Sequence, residues 1–169
     1  MALNIADIVL VNGGSSKGAG DYNASMLQKR ASMYRHGIKA IPGRPVAIAI
    51  INNTPVINVP GPTMATLFAL DWCVSELIHR YFGTKVPVLP KIKVRLEQPL
   101  QKRTDYEQYF RFVLKKKEDI YLASPIYWFA GTVNSLLKPD AFFVAPIGVS
   151  SYQAGDEVEA ELLHGLETI

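Results

Sequence analysis

The stretch IADIVLVNGGSSKGAGD, residues 5–21, decides the fold class of the first half of the chain. Its apolar, β-branched start, Ile5–Val11, predicts a strand buried on both faces, as in a parallel sheet. A glycine-rich turn follows at once, and Asp21 is placed to cap a helix that we expect to reach about Arg35. The apolar stripe expected on this helix consists of Tyr22, Met26, Ala31 and Tyr34.

The residues that follow continue this alternation of strands and helices, with Gly and Pro at the turns. The expected elements are a turn PGRP at 42–45, a hairpin of Val46–Ile51 and Val56–Val59 around turn residues 52–55, a turn Pro60-Gly61-Pro62, and a helix from Met64 to Tyr81 with Gly83 as its stop signal. Together they predict an α/β layer fold for residues 1–84.

In the second half, residues 85–169, the spacing of apolar residues changes. Thr84–Pro90 contains two prolines and predicts a stiff connector. Beyond it apolar residues alternate with period two, which predicts strands and an all-β domain, either a small barrel or a sandwich. The expected parts are a hairpin of 109–114 and Ile120–Ala123 joined by the polar turn KKKED at 115–119, in which Lys115–Lys117 is a solvated cluster at the tip, and strands at Ala141–Ala145 and Val158–Leu163.

Composition and charge exclude several classes of protein. The chain has 169 residues, 49% hydrophobic and 20% charged, with a net charge of +3, which is too small to indicate nucleic-acid binding. Four polar residues interrupt the longest apolar window, at 64–82, so no membrane span is expected, and residues 1–10 have no signal-peptide pattern. We therefore expect a cytoplasmic protein. The single cysteine, Cys73, excludes an internal disulfide, and its apolar helical context favours a buried structural thiol.

The glycine-rich turn could hold a phosphate. Turns of this kind, between a buried strand and a helix start, direct backbone N–H groups and the positive end of the helix dipole toward one point. Three of its glycines permit close approach of the backbone to a ligand, and two serine hydroxyls and one lysine ammonium add hydrogen-bond donors. The spacing of the glycines matches neither the dinucleotide-binding motif nor the P-loop. These residues are Gly13, Gly14, Gly18, Ser15, Ser16 and Lys17. A tight turn without a ligand remains the alternative.

Two charged residues outside the glycines also have two interpretations each. Asp21 could cap the helix, or it could be a metal ligand or hydrogen-bond acceptor facing the glycine turn. Arg44 lies between rigid turn residues and could bind an oxyanion, although the turns at 42–45 and 60–62 could equally be loop punctuation.

In this order the motifs resemble the C-terminal part of the molybdopterin molybdotransferase family, which includes MoeA and the gephyrin E-domain. The family's glycine motif GGVSxGxxD is matched by Gly13, Gly14, Ser16, Gly18 and Asp21. The family turns KPGKP and PGNP correspond to IPGRP at 41–45 and to PGPT at 60–63. The resemblance continues through the sequence PIGVSSYQAGDEVEAELL and covers essentially the whole chain.

The resemblance implies a fold, a function and a set of site residues. The fold is a partial MogA-like, three-layer molybdopterin-binding α/β domain over residues 1–84, followed by a β-barrel domain over residues 85–169. The function is insertion of molybdate into adenylylated molybdopterin with Mg²⁺, which releases AMP. The implied roles are pterin binding by Gly13, Gly14, Ser15, Ser16, Lys17, Gly18, Pro42, Gly43, Pro60 and Gly61, catalysis by Asp21 and Arg44, and metal binding by Asp21.

The chain also departs from the family pattern. Ile41 stands where the first lysine of KPGKP is expected, and Pro62-Thr63 stands for Asn-Pro. A non-catalytic module that binds pterin or an oxyanion therefore remains an alternative, as does a scaffolding role. We expect the chain to be a fragment or half of a split protein, inactive by itself. The predicted strand Ile5–Val11 would then have an exposed edge, which we expect a second copy to cover in a homo-oligomer. No nucleic-acid or membrane partner is expected.

Overall fold

The computed structural model describes residues 2–13, 22–126, 138–166 and 169. The chain divides into two compact units. Unit 1 comprises Met1–Ile38 and Pro42–Val86, and unit 2 comprises Lys39–Ile41 and Pro87–Ile169. The chain thus enters unit 2 for three residues in the middle of unit 1. None of the described helices is both long enough and apolar enough to cross a bilayer.

Unit 1 is built on a four-stranded mixed sheet. Its elements in chain order are a 3₁₀ turn Ala2–Asn4, β1 Val9–Asn12, α1 Tyr22–Arg30, β2 Met33–His36, then, after β3 Ala40–Ile41 of unit 2, β4 Ala47–Ile51, β5 Thr54–Val59, α2 Thr63–Ala69, a π-helical segment Leu70–Ser75 and α3 Glu76–Tyr81. The strand order is β1-β5-β4-β2. Only β1 and β5 are parallel, and the other two pairs are antiparallel.

Helices cover both faces of this sheet. On one face Leu27 of α1 packs with Ala49, Ile51 and Val56. On the other face Val46, Ile57 and Val59 pack with Ala69 and Val74 from the helical segment 63–81. Each side chain of valine or isoleucine size that is fully buried contributes about 1.5–3 kcal/mol, so both helical layers stabilise the sheet.

The predicted helix from Met64 to Tyr81 is observed as one continuous helical stretch, but its middle turn is π-helical. It ends where Gly83 was expected to stop it. Gly83 has φ +66°, and the N–H of Thr84 donates to the His79 carbonyl at 2.8 Å, which closes a Schellman-type C-terminus. Cys73 lies half-buried in the π segment, and burial raises the pKa of its thiol.

The first strand, its parallel pairing and the first helix are present, but the predicted bounds of both elements are wrong. The first strand is Val9–Asn12 rather than Ile5–Val11, because residues 2–4 form a 3₁₀ turn and Ile5 is 82% exposed. The first helix ends at Arg30, and the residues expected to complete it form β2, which pairs with β4. Tyr22 and Met26 are exposed rather than part of a buried stripe, and Leu27 is the buried residue of α1.

The predicted hairpin is confirmed with a shorter turn. Ile51 pairs with Thr54, so the connection is the two residues Asn52 and Asn53 rather than residues 52–55. Both have positive φ, at 50° and 63°, which is the geometry of a type I′ turn.

Unit 2 is a closed β-barrel. Its elements, besides β3, are β6 Lys91–Leu96, β7 Leu100–Gln101, β8 Glu107–Lys117, β9 Ile120–Pro125, β10 Ala141–Ala145, β11 Ser151–Tyr152 and β12 Glu157–Leu162. The order β10-β12-β6-β9-β8, with a further β8–β10 pairing, closes a ring of five strands. β6 and β9 are parallel, and the other pairs in the ring are antiparallel.

The barrel interior follows the predicted period-two pattern. Phe112 and Leu114 of β8 are buried, and half-buried Phe110 packs against the same core as Ala141 and Ala160. The expected turn at 115–119 is too long, because Lys115–Lys117 still pair with β9 and the turn consists of Glu118 and Asp119; the three lysines are exposed as expected. Outside the ring, β3 joins β8 in parallel and β7 pairs with β11.

Candidate functional site

Three sequence-predicted turns leave the unit 1 sheet at the same end. Asn12, the last residue of β1, pairs with Val59, the last residue of β5. Ala47, the first residue of β4, pairs with Asn58. Gly13, the Pro60-Gly61-Pro62 turn and the turn at 42–45 therefore lie at this end of the sheet in that order. Because neighbouring strands lie about 4.8 Å apart and β5 lies between β1 and β4, the end of β1 and the start of β4 are roughly 10 Å from each other.

The backbone at Gly13 is fixed against β5. Its N–H donates to the Val59 carbonyl at 3.0 Å, which extends the parallel ladder by one residue beyond β1. Its φ of +84° favours glycine at this position. A Cβ added to Gly61 would lie 3.9 Å from the Cα of Gly13, so these two glycines lie close together although they are 48 positions apart in the sequence.

Two amide side chains hold the Gly13 carbonyl. Asn23, near the start of α1, donates its Nδ2–H to this oxygen at 3.1 Å. Asn58, fully buried in β5, donates to it at 2.8 Å and to the Val11 carbonyl at 3.0 Å when its amide nitrogen faces these two acceptors. The sequence analysis did not single out either residue. The only signal was a polar asparagine within the apolar run of β5, where asparagine is a poor strand former.

The turn before α2 is closed by Thr66. Its hydroxyl donates to the Pro60 carbonyl and contacts the Pro62 carbonyl at 3.2 Å, and its N–H donates to the Pro62 carbonyl at 3.0 Å. Pro60 is buried, whereas Gly61 is exposed. The turn therefore presents the Gly61 backbone to solvent next to Gly13.

The third turn is compact and rests on the π segment. Pro42 and Gly43 are buried, and Arg44 is exposed. The Gly43 carbonyl accepts from the N–H of Val46 at 3.0 Å, and the Arg44 carbonyl accepts from the N–H of Ile38 at the same distance. A Cβ on Gly43 would lie 3.9 Å from the indole nitrogen of Trp72, a buried atom with no hydrogen-bond partner among the described residues. A glycine with φ +113° at this point lets the turn pack onto the indole.

Ile41 belongs to unit 2 rather than to this turn. It pairs with Gln108 as part of β3, beside β8 of the barrel. The residue that stands where the family has a lysine is therefore a half-buried strand residue.

Several predicted site residues lie outside the described part of the chain. They are Gly14, Ser15, Ser16, Lys17, Gly18 and Asp21. Within residues 2–13, 22–126 and 138–166, no three His, Cys, Asp or Glu side chains come together as a metal site.

The two units define a class of protein in which a helix-covered mixed sheet is combined with a closed five-stranded barrel. Residues 93–163, within the barrel unit, match the family model of the MoeA C-terminal region (domain IV). The resemblance of the chain to the C-terminal part of MoeA is thereby confirmed, and individual relatives extend it to the first unit.

More than nine-tenths of this chain aligns with each of three known proteins. A molybdopterin biosynthesis protein of Methanocaldococcus jannaschii is 26% identical over 162 residues, which cover 96% of this chain and 38% of the relative. A molybdopterin molybdenumtransferase of Haemophilus influenzae is 24% identical over 160 residues, which cover 92% of this chain and 39% of the relative. The crystal structure of a Pyrococcus horikoshii MoeA protein superposes with a TM-score of 0.74 at 30% identity, and the superposition covers 97% of this chain and 39% of that protein.

A molybdenum cofactor biosynthesis protein from Pyrococcus furiosus, with a TM-score of 0.70 at 22% identity, shares the fold. The chain spans about two fifths of the length of the curated relatives that it matches.

Proposed function

We propose that this chain is part of a molybdenum-inserting transferase of molybdenum cofactor biosynthesis, which transfers molybdate to adenylylated molybdopterin. In this proposal unit 1 is the C-terminal portion of a MogA-like, three-layer pterin-binding domain, and unit 2 is the barrel domain. The main support is the close approach of Gly61 to Gly13 at the end of the parallel strands β1 and β5, where a Cβ added to Gly61 would lie 3.9 Å from the Cα of Gly13. Crevices at the carboxyl ends of parallel strands are the usual ligand sites of open α/β sheets.

The glycine turn would bind the phosphate or pterin. Gly13 is held by its N–H on β5 and by the two asparagine amides on its carbonyl, so the loop that follows it begins from a fixed position. Donors that are already in place lose little entropy when they bind an anion, which is the benefit of such preorganisation. Ser15, Ser16 and Lys17 would add side-chain donors, and the Gly61 backbone would form the opposite wall of the site with Pro60.

Arg44 would hold the oxyanion at the third turn, where Pro42 and Gly43 fix the backbone. Guanidinium groups bind tetrahedral oxyanions through two parallel N–H bonds. Asp21 would orient the ligand and would bind Mg²⁺ together with phosphate oxygens. The metal would neutralise negative charge that develops on the departing phosphate, a contribution of several kcal/mol.

We propose further that the isolated chain is inactive and that the enzyme is cytoplasmic and homo-oligomeric. A reacting geometry must be held to within about 0.5 Å by surrounding residues. A chain that spans about two fifths of its relatives holds only part of such surroundings.

The test of this function uses two site variants. We expect Asp21→Asn and Ser16→Ala to abolish molybdate-dependent AMP release by the complete enzyme that contains this chain, with unchanged circular dichroism. The matched control is Ser25→Ala on the exposed side of α1, which should keep full activity. Full activity in both site variants would contradict the assignment.

The environment of Ile41 favours a second candidate, a non-catalytic module that binds pterin or an oxyanion. Its half-buried position in β3 places no cation where the family has a lysine. Anaerobic titration calorimetry with molybdopterin separates the two candidates. Binding without any turnover in the complete enzyme supports the module, and binding with AMP release supports the transferase.

A further inference from the structure

The indole nitrogen of Trp72 is a buried donor without an acceptor. Trp72 is half-buried in the π-helical segment Leu70–Ser75, and within the described parts of the chain its Nε1–H has no hydrogen-bond partner. A buried N–H in this state destabilises the fold. Because a phenylalanine ring would pack there without this penalty, packing alone does not account for an indole at this position.

The π-helical geometry determines where this donor lies. Ala69 and Val74, on either side of Trp72 in the sequence, are buried against the sheet. A π-helical turn contains more residues than an α-helical turn, so it rotates the side chains between these two positions, and such turns recur at functional sites. Here Nε1 lies beside the turn at 42–45, because a Cβ added to Gly43 would be 3.9 Å from it.

The peptide between Pro42 and Gly43 is also without hydrogen bonds to the described residues. No described N–H donates to the Pro42 carbonyl, and the N–H of Gly43 donates to no described acceptor. The fourth residue of the turn cannot donate to this carbonyl, because Pro45 has no N–H. An unmatched donor on Trp72 therefore lies next to an unmatched peptide of the turn that carries Arg44.

We propose that Trp72 is a positioning residue for oxyanion binding at this turn. When an oxyanion binds to Arg44, the Pro42–Gly43 peptide rotates so that its carbonyl accepts from the Nε1–H of Trp72. A trans peptide directs its C=O and N–H to opposite sides, so the same rotation turns the Gly43 N–H outward, beside exposed Arg44. This N–H then becomes a second donor to the oxyanion.

Two features of the turn allow this rotation to be coupled to the ligand. Gly43 has φ +113°, and glycine adopts either sign of φ, so its peptide rotates without the strain that a Cβ would cause. An oxyanion that binds only the rotated form shifts the population of the turn toward that form. This inference deepens the proposed function and rests on the role proposed there for Arg44.

Titration of the complete enzyme with sodium molybdate tests the coupling by NMR and calorimetry. The indole N–H resonance of Trp72, identified as the one missing in Trp72→Phe, should move downfield as the N–H gains an acceptor. Trp72→Phe keeps an aromatic ring and should raise the dissociation constant for molybdate roughly 3- to 10-fold, the value of one hydrogen bond. The matched control Tyr81→Phe removes a polar group from another aromatic ring of the same helical stretch and should bind molybdate like the wild type.

Arg44→Ala separates this inference from the proposed function. It should abolish both molybdate binding and the shift of the Trp72 resonance. If Arg44→Ala binds molybdate as the wild type does, or if the wild type binds none, the oxyanion site at this turn is wrong and the inference falls with it. If binding depends on Arg44 but the Trp72 resonance does not move, only the inference is overturned. Wild-type affinity in folded Trp72→Phe overturns it too, since a purely structural indole affects the melting temperature alone.

Discussion

Asn58 illustrates how a single buried residue shapes the candidate site. Its amide bridges two carbonyls of the neighbouring chain segment, at Val11 and Gly13, from a fully buried position. A hydrocarbon side chain there removes two hydrogen bonds, one to the Val11 carbonyl and one to the Gly13 carbonyl, which keeps its bond from Asn23. Each such bond contributes about 0.5–1.5 kcal/mol.

We therefore expect Asn58→Leu to lower the free energy of unfolding by about 2 kcal/mol. Because the bond also positions Gly13, pterin binding at a temperature where the variant is folded should weaken as well. Urea denaturation and calorimetry measure the two effects. The control Asn12→Ala changes an exposed asparagine at the end of β1 and should alter unfolding by less than about 0.5 kcal/mol. Equal effects of the two variants would contradict the bridging role.

A second residue-scale prediction concerns Tyr81. The hydrogen bond to Asp7, and then the charge of that carboxylate, raise the pKa of the Tyr81 phenol above its ordinary value of 10.0. Since the folded-state pKa is the higher one, the stabilisation by this contact is present below pH 10 and is lost as the pH rises through the folded-state pKa.

Alkaline titration at 295 nm measures this shift. In Asp7→Asn one of the eight tyrosines should ionise at lower pH than in the wild-type chain. Tyr152 is the internal control, because burial rather than a carboxylate raises its pKa. It should titrate unchanged in the variant. An unaltered titration curve would show that the Asp7 contact does not persist in solution.

The roles of individual residues could be predicted from the sequence where a residue type favours one backbone conformation. Gly83 ends its helix with a positive φ, and the asparagines at 52 and 53 both adopt the left-handed region that the turn requires. Asn58 could not be predicted, because its role depends on which carbonyls β1 places beside it. That pairing joins segments 47 residues apart.

At the scale of elements, the ammonium group of Lys102 connects the two segments that flank the small β7–β11 sheet. Lys102 Nζ lies 2.8–2.9 Å from the carbonyls of Arg103, Tyr106, Pro146 and Val149, and its three N–H groups are shared among these four acceptors. The segments after β7 and before β11 are thus tied to one point. Carbonyl oxygens that converge repel each other, so the cation both satisfies them and offsets this repulsion.

We expect Lys102→Met to lower the free energy of unfolding by about 2–3 kcal/mol, the range for hydrogen bonds to a charged group. Lys102→Arg should also be destabilising, since a planar guanidinium cannot direct its donors to four converging acceptors. Thermal denaturation followed by circular dichroism measures both. Lys117→Met, at an exposed position at the end of β8, is the control and should have little effect. A Lys102→Met variant as stable as this control would contradict the argument.

At the same scale, α1 and β2 show the limit of local patterns. Tyr34 fits the three- and four-residue spacing of a helix stripe, yet it lies in β2 opposite Ala49. The N–H and hydroxyl of Ser32 both reach the Ile50 carbonyl, which draws the chain into the sheet just after α1. Pairing with β4 outweighs helix propensity, which is a difference of only a few tenths of a kcal/mol per residue. The helix from 63 to 81 was predictable because its apolar stripe extends over several turns.

For the molecule as a whole, an all-β second half was predictable from the period of its sequence, but closure of the barrel was not. Closure depends on β8 pairing with β10 and on β6 pairing with β12, which are far apart in the chain. A sandwich would satisfy the same alternation of apolar residues. The candidate site was predictable as three separate turns. Their meeting at one end of the sheet follows from the strand order, which a single sequence does not specify.

The closed ring of strands predicts that residues 87–169 fold without unit 1. The ten buried residues of the barrel core all lie between Val94 and Leu162, and β3 is outside the ring, so its removal leaves every ring pairing in place. The isolated segment should give a dispersed amide spectrum and a cooperative thermal transition. Phe112→Ala, at a fully buried core position, should cost about 3–5 kcal/mol and unfold it. A wild-type segment with a collapsed amide spectrum would mean that β3, which pairs with β8 through Ala40 and Ile41, is required for the barrel to fold.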